Sequence, residues 1–311
     1  MKLLRGAADP ALHGATAAVI GNFDGVHHGH QTLLTAVRSL ATEANLPLLV
    51  IVFEPQTREF FLKDQSPPRL TSLRKKLQIF EQFGVDFVCC LRFNQNIARM
   101  SATEFAQLVI FSQLKVKHLF VGNDFRFGCD RLGDGALLQS IAQSYQAQVT
   151  IYPDVVLDRE RVSSTKVRQI LQAGNLQEAE SLLGRPFTLC GRVMHGDAQA
   201  RIWGIPTANI KLNRGPLPLH GVFFVRVAQK NGETLQGIAN IGCRPTLDGK
   251  KNLLEIHLLN FSGSLYGQRL EVVFLQKLRD ERRFPSKEML IEQIHADVAA
   301  AKTYFNMRRI L

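Results

Sequence analysis

The sequence of 311 residues has no long hydrophobic run, few cysteines and no concentrated basic segment. No stretch approaches the roughly 18 uncharged apolar residues of a membrane-spanning helix. The residues after Met1 lack the apolar core and cleavage site of a secretion signal. The five cysteines have no metal-binding spacing, and their odd number does not indicate a disulfide framework. We therefore expect a cytoplasmic protein without a membrane partner.

The formal charge of +11 suits either a nucleic acid or small anionic substrates. A nucleic-acid-binding protein concentrates its basic residues, whereas the basic runs here are short and far apart. These runs are Arg74–Lys76, Arg282-Arg283 and Arg308-Arg309. We favour small anions as partners and place most of these charges on the solvated surface.

Apolar segments alternate with helical patterns through the first half of the chain, which predicts a parallel sheet covered on both faces. The expected strands are Ala17–Ile20, Leu48–Phe53, Asp86–Leu91, His118–Val121 and Val149–Tyr152. The expected helices lie near Thr71–Phe83, Ser101–Leu114 and Asp134–Tyr145. Ligands bind such sheets outside the carboxyl ends of the strands, so the turns after the strands are candidate sites.

The segment Gly21–His30 follows the first expected strand and opens a helix. A helix N-terminus presents unpaired N–H groups that suit a phosphate. Gly25 and Gly29 allow the backbone to approach an anion closely, and His27 and His30 can donate to the same phosphate. The alternative is a glycine turn with surface histidines. The pattern His-x-Gly-His resembles the signature of the nucleotidyltransferase superfamily, which transfers a nucleotidyl group and releases pyrophosphate.

Two later segments fall on the same edge of the sheet. Gly122–Gly128 supplies polar side chains, a cation and the rings of Phe125 and Phe127, which could stack on a flat ligand or lie in the core. Val162–Arg168 leads into a helix through Leu171, and its hydroxyls could simply cap that helix. Basic residues in a first helical turn oppose the helix dipole, so a phosphate ligand would explain them better.

The residue pattern of the sequence changes near Gly184, where we expect the domain boundary. Short runs rich in Val, Phe and Ile, joined by turns, predict an antiparallel barrel or sandwich. The expected strands are Phe187–Met194, Val222–Val227, Gln236–Ile241, Leu253–Leu259 and Leu270–Leu278. A closing helix is expected over Ser286–Tyr304. The face expected to pack on the barrel consists of Met289, Ile291, Ile294, Val298 and Ala299.

Several separate motifs resemble those of bacterial bifunctional riboflavin kinase/FAD synthetases over nearly the whole chain. In the first half they are Gly21–His30, Phe53–Pro55, Val121–Gly128 with Arg131 and Gly133-Asp134, and Ser163–Arg168. In the second half they are Gly204–Asn209, Gly221-Val222, Asn240–Thr246 and Glu255–Leu259. The resemblance implies a Rossmann-like FMN adenylyltransferase domain over residues 1–184 and a β-barrel riboflavin kinase domain with a terminal helix over residues 185–311.

The implied reactions are phosphorylation of riboflavin to FMN and adenylyl transfer to FMN, which yields FAD and pyrophosphate. Both would use ATP and Mg²⁺. An FMN phosphate is already anionic at neutral pH and needs no general base, so adenylyl transfer calls for positioning and charge stabilisation. His27 and His30 suit the α-phosphate, and Ser164 and Arg168 the leaving pyrophosphate.

Other implied contacts in the site of adenylyl transfer are with the nucleotide and the flavin. The nucleotide candidates are Gly21, Asn22, Phe23, Asp24, Gly25, Gly29, Ser163 and Thr165, with Gly191 in the second half. The flavin candidates are Asn123, Asp124, Phe125 and Phe127. For Asp24 the role of a turn residue is nearly as good an interpretation.

The kinase step requires a base, because a ribityl hydroxyl is a poor nucleophile until it is deprotonated. By resemblance Glu255 is that base, although strand alternation could simply turn it to solvent. Thr207 and Asn209 offer a hydroxyl and an amide oxygen to Mg²⁺, and the alternative is a Pro-Thr turn before a strand. We expect His257 to be structural.

The chain departs from the family pattern at a few positions. Ala200-Arg201 and Ile205 replace a glycine and a phenylalanine around the Pro-Thr-Ala-Asn motif, Phe223 replaces a tyrosine, and Gln56 replaces a histidine. The alternatives are therefore a FAD synthetase with a degenerate kinase half, nucleotidyl transfer to another acceptor and, from a different class, a nucleic-acid-binding protein. Self-association is compatible with the sequence.

Overall fold

The computed structural model describes residues 1–157, 160–195, 205–212, 215–229, 232–246 and 249–307. Two compact units divide the chain, one of residues 1–67 and 71–164 and the other of residues 68–70 and 165–311. This division differs from the expected boundary near Gly184 because the helical residues before Gly184 pack in the second unit. The boundary between the catalytic domains stays a prediction. Ala200, Arg201 and Gly204, named above, lie outside the described residues.

The first unit contains the expected parallel sheet. Its strands are β1 (Lys2–Leu4), β2 (Thr16–Ile20), β3 (Leu48–Glu54), β4 (Phe87–Arg92), β5 (Val116–Gly122) and β6 (Gln148–Tyr152). All neighbours are parallel, in the spatial order β1-β4-β3-β2-β5-β6. The edge strand β1 was not predicted, since three residues carry too short a pattern. A two-stranded hairpin, β7 (Val156–Leu157) and β8 (Glu160–Arg161), follows the sheet.

Helices cover both faces of this sheet. Alternate residues of its central strands therefore belong to two different apolar clusters, one on each face. The helices are α1 (His28–Glu43), α2 (Thr57–Leu62), α3 (Leu73–Gln82), α4 (Gln95–Arg99), α5 (Ala102–Glu104), which continues as a π-helix over Phe105–Gln113, and α6 (Gly135–Gln143). The short helices α2 and α4 were not predicted. Helices α1 and α3 pack on one face, and the π-helix and α6 on the other.

The strand order places a topological switch point beside β2. From β2 the chain proceeds to β3 and β4 on one side, then returns to β5 on the other side of β2. Ligands bind outside the carboxyl ends of the strands at such a point. The segments that leave β2 and β5 there are residues 21–27 and 123–128, which are two of the three segments expected from the sequence.

The described part of the second unit is a closed antiparallel barrel with three helices. Its strands are β9 (Thr188–Met194), β10 (Thr207–Lys211), β11 (Gly221–Ala228), β12 (Thr234–Thr246), β13 (Gly249–Leu258) and β14 (Arg269–Arg279). They close in the order β10-β13-β12-β11-β14-β9. The helices are α7 (Ser164–Ala173), whose first residue belongs to the first unit, α8 (Leu176–Leu183) and α9 (Lys287–Met307). Apolar residues of α7 and α8 share the cluster that fills the barrel.

Helix α9 packs on an apolar patch outside the barrel with only part of the expected face. Its buried apolar residues are Ala301 and Phe305, which join Phe224 of β11 and Ile238 of β12 in one cluster. Met289, expected to pack, is 50% exposed. Of the expected set, Val298 does pack against this cluster, whereas Ala299 is exposed. The prediction was only partly right because apolar residues are spread around this helix, and contacts with the barrel decide which of them are buried.

Two further findings bear on the expected classes. Among the described residues, no helix is long and apolar enough to span a membrane. Cys89, Cys90, Cys129 and Cys190 form no disulfide bonds. Burial raises the pKa of the Cys89 thiol to about 12, so this thiol is not a reactive nucleophile.

Candidate active sites

The turn after β2 has an unusual backbone that its own side chains anchor. Phe23 and Val26 have φ angles of 47° and 43°, and Gly25 has 85°. Left-handed backbone at bulky residues is strained and persists only where the surroundings hold it. Here Phe23 and Val26 are 1% and 0% exposed in the core below α1. The buried side chains therefore hold the turn that presents the backbone at the sheet edge.

The two predicted phosphate-binding histidines lie against each other at the start of α1. Their rings are stacked with centroids 3.8 Å apart and an interplanar angle of 19°. The Phe23 ring lies 4.9 Å from that of His30. A Cβ at Gly29 would lie 3.2 Å from Nδ1 of His27, so this glycine permits the close arrangement. The structure thus brings His27, Gly29 and His30 together.

The environment of His30 favours the neutral imidazole. Burial lowers the pKa of His30 well below its usual value, and the nearby charges of His27 and Lys76 lower it further. Its Nδ1 is buried and has no hydrogen-bond partner among the described residues. A neutral ring whose Nδ1 has no partner can carry its proton on Nε2, and this N–H group can donate a hydrogen bond to a ligand.

Asp24 ties three segments of the first unit together. It is 2% exposed, its Oδ1 accepts the N–H of Thr71 at 3.1 Å, and its carbonyl accepts the Ser164 hydroxyl at 2.7 Å. These contacts support the interpretation of Asp24 as a turn residue. They also place Ser164, the first residue of α7, beside the histidine-containing turn.

Lys76 is the residue of this site that sequence reasoning missed. It belongs to the basic run Arg74–Lys76, which was expected on the solvated surface. Instead Lys76 on α3 is 1% exposed, and its Nζ donates to the carbonyl of Asn22 at 2.6 Å. The available signal was its helical spacing from Ile79 and Phe80, which places it on the buried face of α3.

The residues predicted to contact flavin lie on the loop after β5, and their side chains differ in exposure. Asn123 and Asp124 are exposed, Phe125 is half-buried, and Phe127 is 7% exposed within the core. The two rings are stacked with centroids 5.5 Å apart. Phe127 therefore supports Phe125 from the core side, and Phe125 is the better placed of the two to meet a flat ligand.

Asp124 of this loop also forms an ion pair. The guanidinium of Arg161 lies 2.7 Å from Asp124 and 3.1 Å from Asp154. Exposed pairs of this kind contribute little to stability. Arg161 was not singled out from the sequence, because its position near Asp124 depends on the hairpin after the sheet.

The predicted residues on α7 have separate surroundings. Ser163 and Arg168 are half-buried, and Thr165 is exposed. The Nε of Arg168 donates to the carbonyl of Pro68 at 2.6 Å within the second unit. Arg168 thus holds the segment 68–70 to α7, and its expected role at pyrophosphate stays a prediction.

In the barrel, strand register brings the predicted kinase residues together on the outer face. Leu254 and Ile256 of β13 are 0% and 1% exposed in the barrel interior, so Glu255 between them faces outward. Asn209 of β10 lies directly opposite Glu255. Side chains directly opposite each other on antiparallel strands have Cβ atoms about 5 Å apart. A carboxylate and an amide therefore share one patch.

Asn240 extends this row on the other side of Glu255. It lies on β12 directly opposite Glu255, and its Oδ1 is buried without a hydrogen-bond partner among the described residues. A buried polar atom without a partner is costly, which is typical of a site that binds something. Asn240 was noted within a family motif, but its place beside Glu255 depends on the pairing of β12 with β13.

Thr207 and His257 form the neighbouring pair on the same face. They lie opposite each other on β10 and β13. The Nδ1 of His257 is 3.0 Å from the carbonyl of Pro206, and since a carbonyl only accepts, Nδ1 carries the proton. His257 thus supports the segment that leads to Thr207, in keeping with a structural role.

Gly191 has a packing role that its prediction as a nucleotide contact did not include. It is buried on β9, and a Cβ there would collide with the side chain of Ile210 and lie 2.5 Å from the Lys211 carbonyl. No side chain fits between β9 and β10 at this point. Its contact with ATP stays a prediction.

Together these features define a two-part transferase. A nucleotidyltransferase-like unit carries a glycine- and histidine-rich turn at its switch point, and a barrel carries a carboxylate beside oxygen-rich side chains. Comparison with known proteins agrees with this class. The family model for FAD synthetase matches residues 9–166, and that for riboflavin kinase matches residues 183–305.

Curated relatives match over nearly the full length of the chain. A bifunctional riboflavin kinase/FMN adenylyltransferase from Pseudomonas fluorescens is 49% identical over 305 residues, which are 97% of each chain. That from Escherichia coli K12 is 43% identical over 311 residues, 99% of each chain. The chain belongs to this family of bifunctional enzymes. It phosphorylates riboflavin to FMN and adenylylates FMN to FAD, with ATP as the co-substrate.

A solved structure also matches both units in one chain. A crystal structure described as a macrolide-efflux protein from Streptococcus pneumoniae has a TM-score of 0.80 and 28% identity. The match covers 96% of this chain and 98% of the other. Efflux is a description of that protein alone, whereas both family models and the full-length relatives of this chain agree on flavin cofactor synthesis. Neither a degenerate kinase half nor a nucleic-acid-binding function is favoured by these matches.

Proposed function

We propose that the two reactions occur at two separate sites, adenylyl transfer at the turn after β2 and riboflavin phosphorylation on the outer face of the barrel. The observation that carries this proposal is the pairing register, which places Glu255 between Asn209 and Asn240. A carboxylate in such a row suits deprotonation of a hydroxyl. The turn after β2 offers donors and a helix N-terminus but needs no base.

In the kinase step, Glu255 accepts the proton of the ribityl hydroxyl, and the oxygen of that hydroxyl attacks the γ-phosphorus of ATP. The bond from the γ-phosphorus to the bridging oxygen breaks, and ADP leaves. A positioned base contributes about 10²- to 10⁴-fold to such a rate. The amide of Asn240 is placed to orient either Glu255 or the flavin hydroxyl.

In the adenylyl step, a phosphate oxygen of FMN attacks the α-phosphorus of ATP and pyrophosphate leaves. His27 and His30 donate to the α-phosphate, and the N-terminus of α1 supports the same anion. His27 provides no side-chain cap to α1. Ser164 holds the leaving pyrophosphate, and Phe125 with Asn123 and Asp124 contacts the flavin. The N–H groups of residues 21–25 and the hydroxyl of Ser163 hold the nucleotide. The roles of Thr165 and Arg168 stay predictions from the sequence.

Magnesium fits the donor set of the barrel. No group of three or more His, Cys, Asp or Glu able to hold a metal occurs in the described part of the chain. Mg²⁺ instead prefers few protein oxygens together with phosphates and water, which suits Thr207 and Asn209. When bound, the ion would neutralise charge on the ATP phosphates. We further propose a cytoplasmic enzyme, since both steps consume ATP, whereas self-association stays an expectation from the sequence.

Supplying each flavin separately tests these assignments. With riboflavin, Thr207→Ala should raise the Mg²⁺ concentration for half-maximal FMN formation about tenfold, because one oxygen ligand is lost. Thr207→Ser keeps the hydroxyl and is the matched control. With FMN supplied, FAD and pyrophosphate formation should not change in either variant. An unchanged Mg²⁺ requirement of the Thr207→Ala kinase would remove Thr207 as a metal ligand.

A further inference from the structure

A buried lysine lies beneath the turn that carries the histidines. Lysine is almost never fully buried unless its ammonium is held by partners. Lys76 is 1% exposed and extends from α3 to the carbonyl of Asn22, which is 54 residues away in the chain and 2.6 Å from Nζ. This contact joins a helix on one face of the sheet to the Asn22–Phe23 peptide of the turn.

The contact fixes the orientation of that peptide. In a planar trans peptide the C=O and N–H groups point in opposite directions. A bond that holds the Asn22 carbonyl toward Lys76 therefore directs the N–H of Phe23 away from Lys76. Phe23 is the residue with φ of 47° whose ring contacts His30. One ammonium thus constrains both the backbone dipole and the ring next to His30.

We propose that Lys76 is a positioning residue for adenylyl transfer, which clamps the Asn22–Phe23 peptide and keeps His30 a neutral hydrogen-bond donor. The inference rests on the proposed contact of His30 with phosphate. Three features of the surroundings disfavour the imidazolium, and each lowers the pKa of His30: burial first, then His27, then the ammonium of Lys76. A proton on one of the stacked rings would also disfavour a proton on the other, whose centroid is 3.8 Å away.

The sign of the effect follows from the charge. Removal of the ammonium removes a positive charge near His30, so the pKa of His30 should rise. If neutral His30 is the active donor, the acid limb of the pH–rate profile for FAD formation should move to higher pH. A merely structural lysine would change stability without moving this limb.

The test compares Lys76→Met, which keeps the apolar stem, with Lys76→Arg, which keeps the charge. Arg74→Met removes an exposed charge from the same helix and is the control. Lys76→Met should lower FAD formation from supplied FMN at least about tenfold, while FMN formation from riboflavin changes less than about twofold. Titration of the His30 ring, followed by NMR and assigned with His30→Gln, should show a higher pKa in Lys76→Met only.

Each outcome decides the proposal. An unchanged His30 titration in folded Lys76→Met overturns it, as does an unchanged rate of FAD formation. If Lys76→Met does not fold, Lys76→Arg carries the test. Its His30 titration should match that of the wild type, and a raised pKa there would contradict the proposed charge effect. Full FAD formation by His30→Gln would instead refute the proposed function, which keeps the two failures distinct.

Discussion

The two sites are built by different means. The proposed site of adenylyl transfer is centred on a contiguous turn whose backbone, helix N-terminus and stacked histidines come from ten successive residues, Gly21–His30. The proposed kinase site is assembled from β10, β12 and β13, and its residues meet only because these strands pair in one register. The difference follows the chemistry, because an anionic nucleophile needs positioning, whereas a hydroxyl needs a base.

Loss of the base should give the largest effect on a rate, and it should affect the kinase reaction alone. Glu255→Gln keeps the shape of the side chain but cannot accept a proton. FMN formation from riboflavin should fall about a thousandfold, and FAD formation from supplied FMN should be unchanged. Separation of the flavins by chromatography measures both rates.

The control for this change is Glu292→Gln, at an exposed position of α9, and it should alter neither rate. Retention of most of the kinase rate in Glu255→Gln would remove Glu255 as the base. Equal loss of both rates would instead indicate that the two sites are not separate.

Loss of one histidine donor should break the other side with a smaller effect. His30→Gln removes the imidazole while keeping a polar group. FAD formation from FMN should fall about a hundredfold, the typical cost of removing one donor to a charge that develops in the transition state. The kinase rate should be unchanged, because a neutral donor in the turn has no part in forming FMN.

His28→Gln is the matched control, since His28 lies in the same motif but outside the stacked pair. It should lower FAD formation much less than His30→Gln. If both variants lose the same activity, the stacked arrangement has no special role and the motif acts only as a turn.

The smallest expected effect is on stability, and it should distinguish the barrel from the first unit. Asp297 of α9 is 5% exposed and accepts three hydrogen bonds from Arg279 of β14, with distances of 2.7 to 3.0 Å. Asp297→Asn should lower the free energy of unfolding of the barrel by about 2 kcal/mol, less than for a fully buried pair, because Arg279 is 21% exposed on its side chain. Calorimetry should show a lower melting temperature for the barrel transition only.

Asp280→Asn provides the comparison for this ion pair. Asp280 is 85% exposed and pairs with Lys277, so its change should cost at most about 0.5 kcal/mol. A shift as large for Asp280→Asn as for Asp297→Asn would show that net charge, not the buried pair, determines the stability of the barrel.

The sequence predicted what local patterns encode. Strand alternation and helical spacing predicted the parallel sheet, an antiparallel barrel or sandwich, and the turn after β2, because these depend on residues close in the chain. The register that places Asn240 beside Glu255 depends on strand pairing, which no local pattern fixes. The predicted packing face of α9 was only partly right for a similar reason, since contacts with β11 and β12 decide that Val298 packs there and Met289 is exposed.

Lys76 shows most clearly what the local sequence could not predict. In the run Arg74–Lys76 the three cations look alike, and only Lys76 is fully buried. Its partner, the Asn22 carbonyl, lies on another element, so the contact that justifies burial is absent from the local sequence. Composition assigned such charges to the surface, and tertiary packing overrode that assignment.

Mixing two single-site variants tests the separation of the sites most directly. Riboflavin, ATP and Mg²⁺ are supplied to His30→Gln, to Glu255→Gln, and to an equal mixture of the two. We predict that the first accumulates FMN, that the second leaves riboflavin unchanged, and that the mixture forms FAD as FMN diffuses from one enzyme to the other. No FAD from the mixture, or loss of both steps in either variant, would contradict two separate sites.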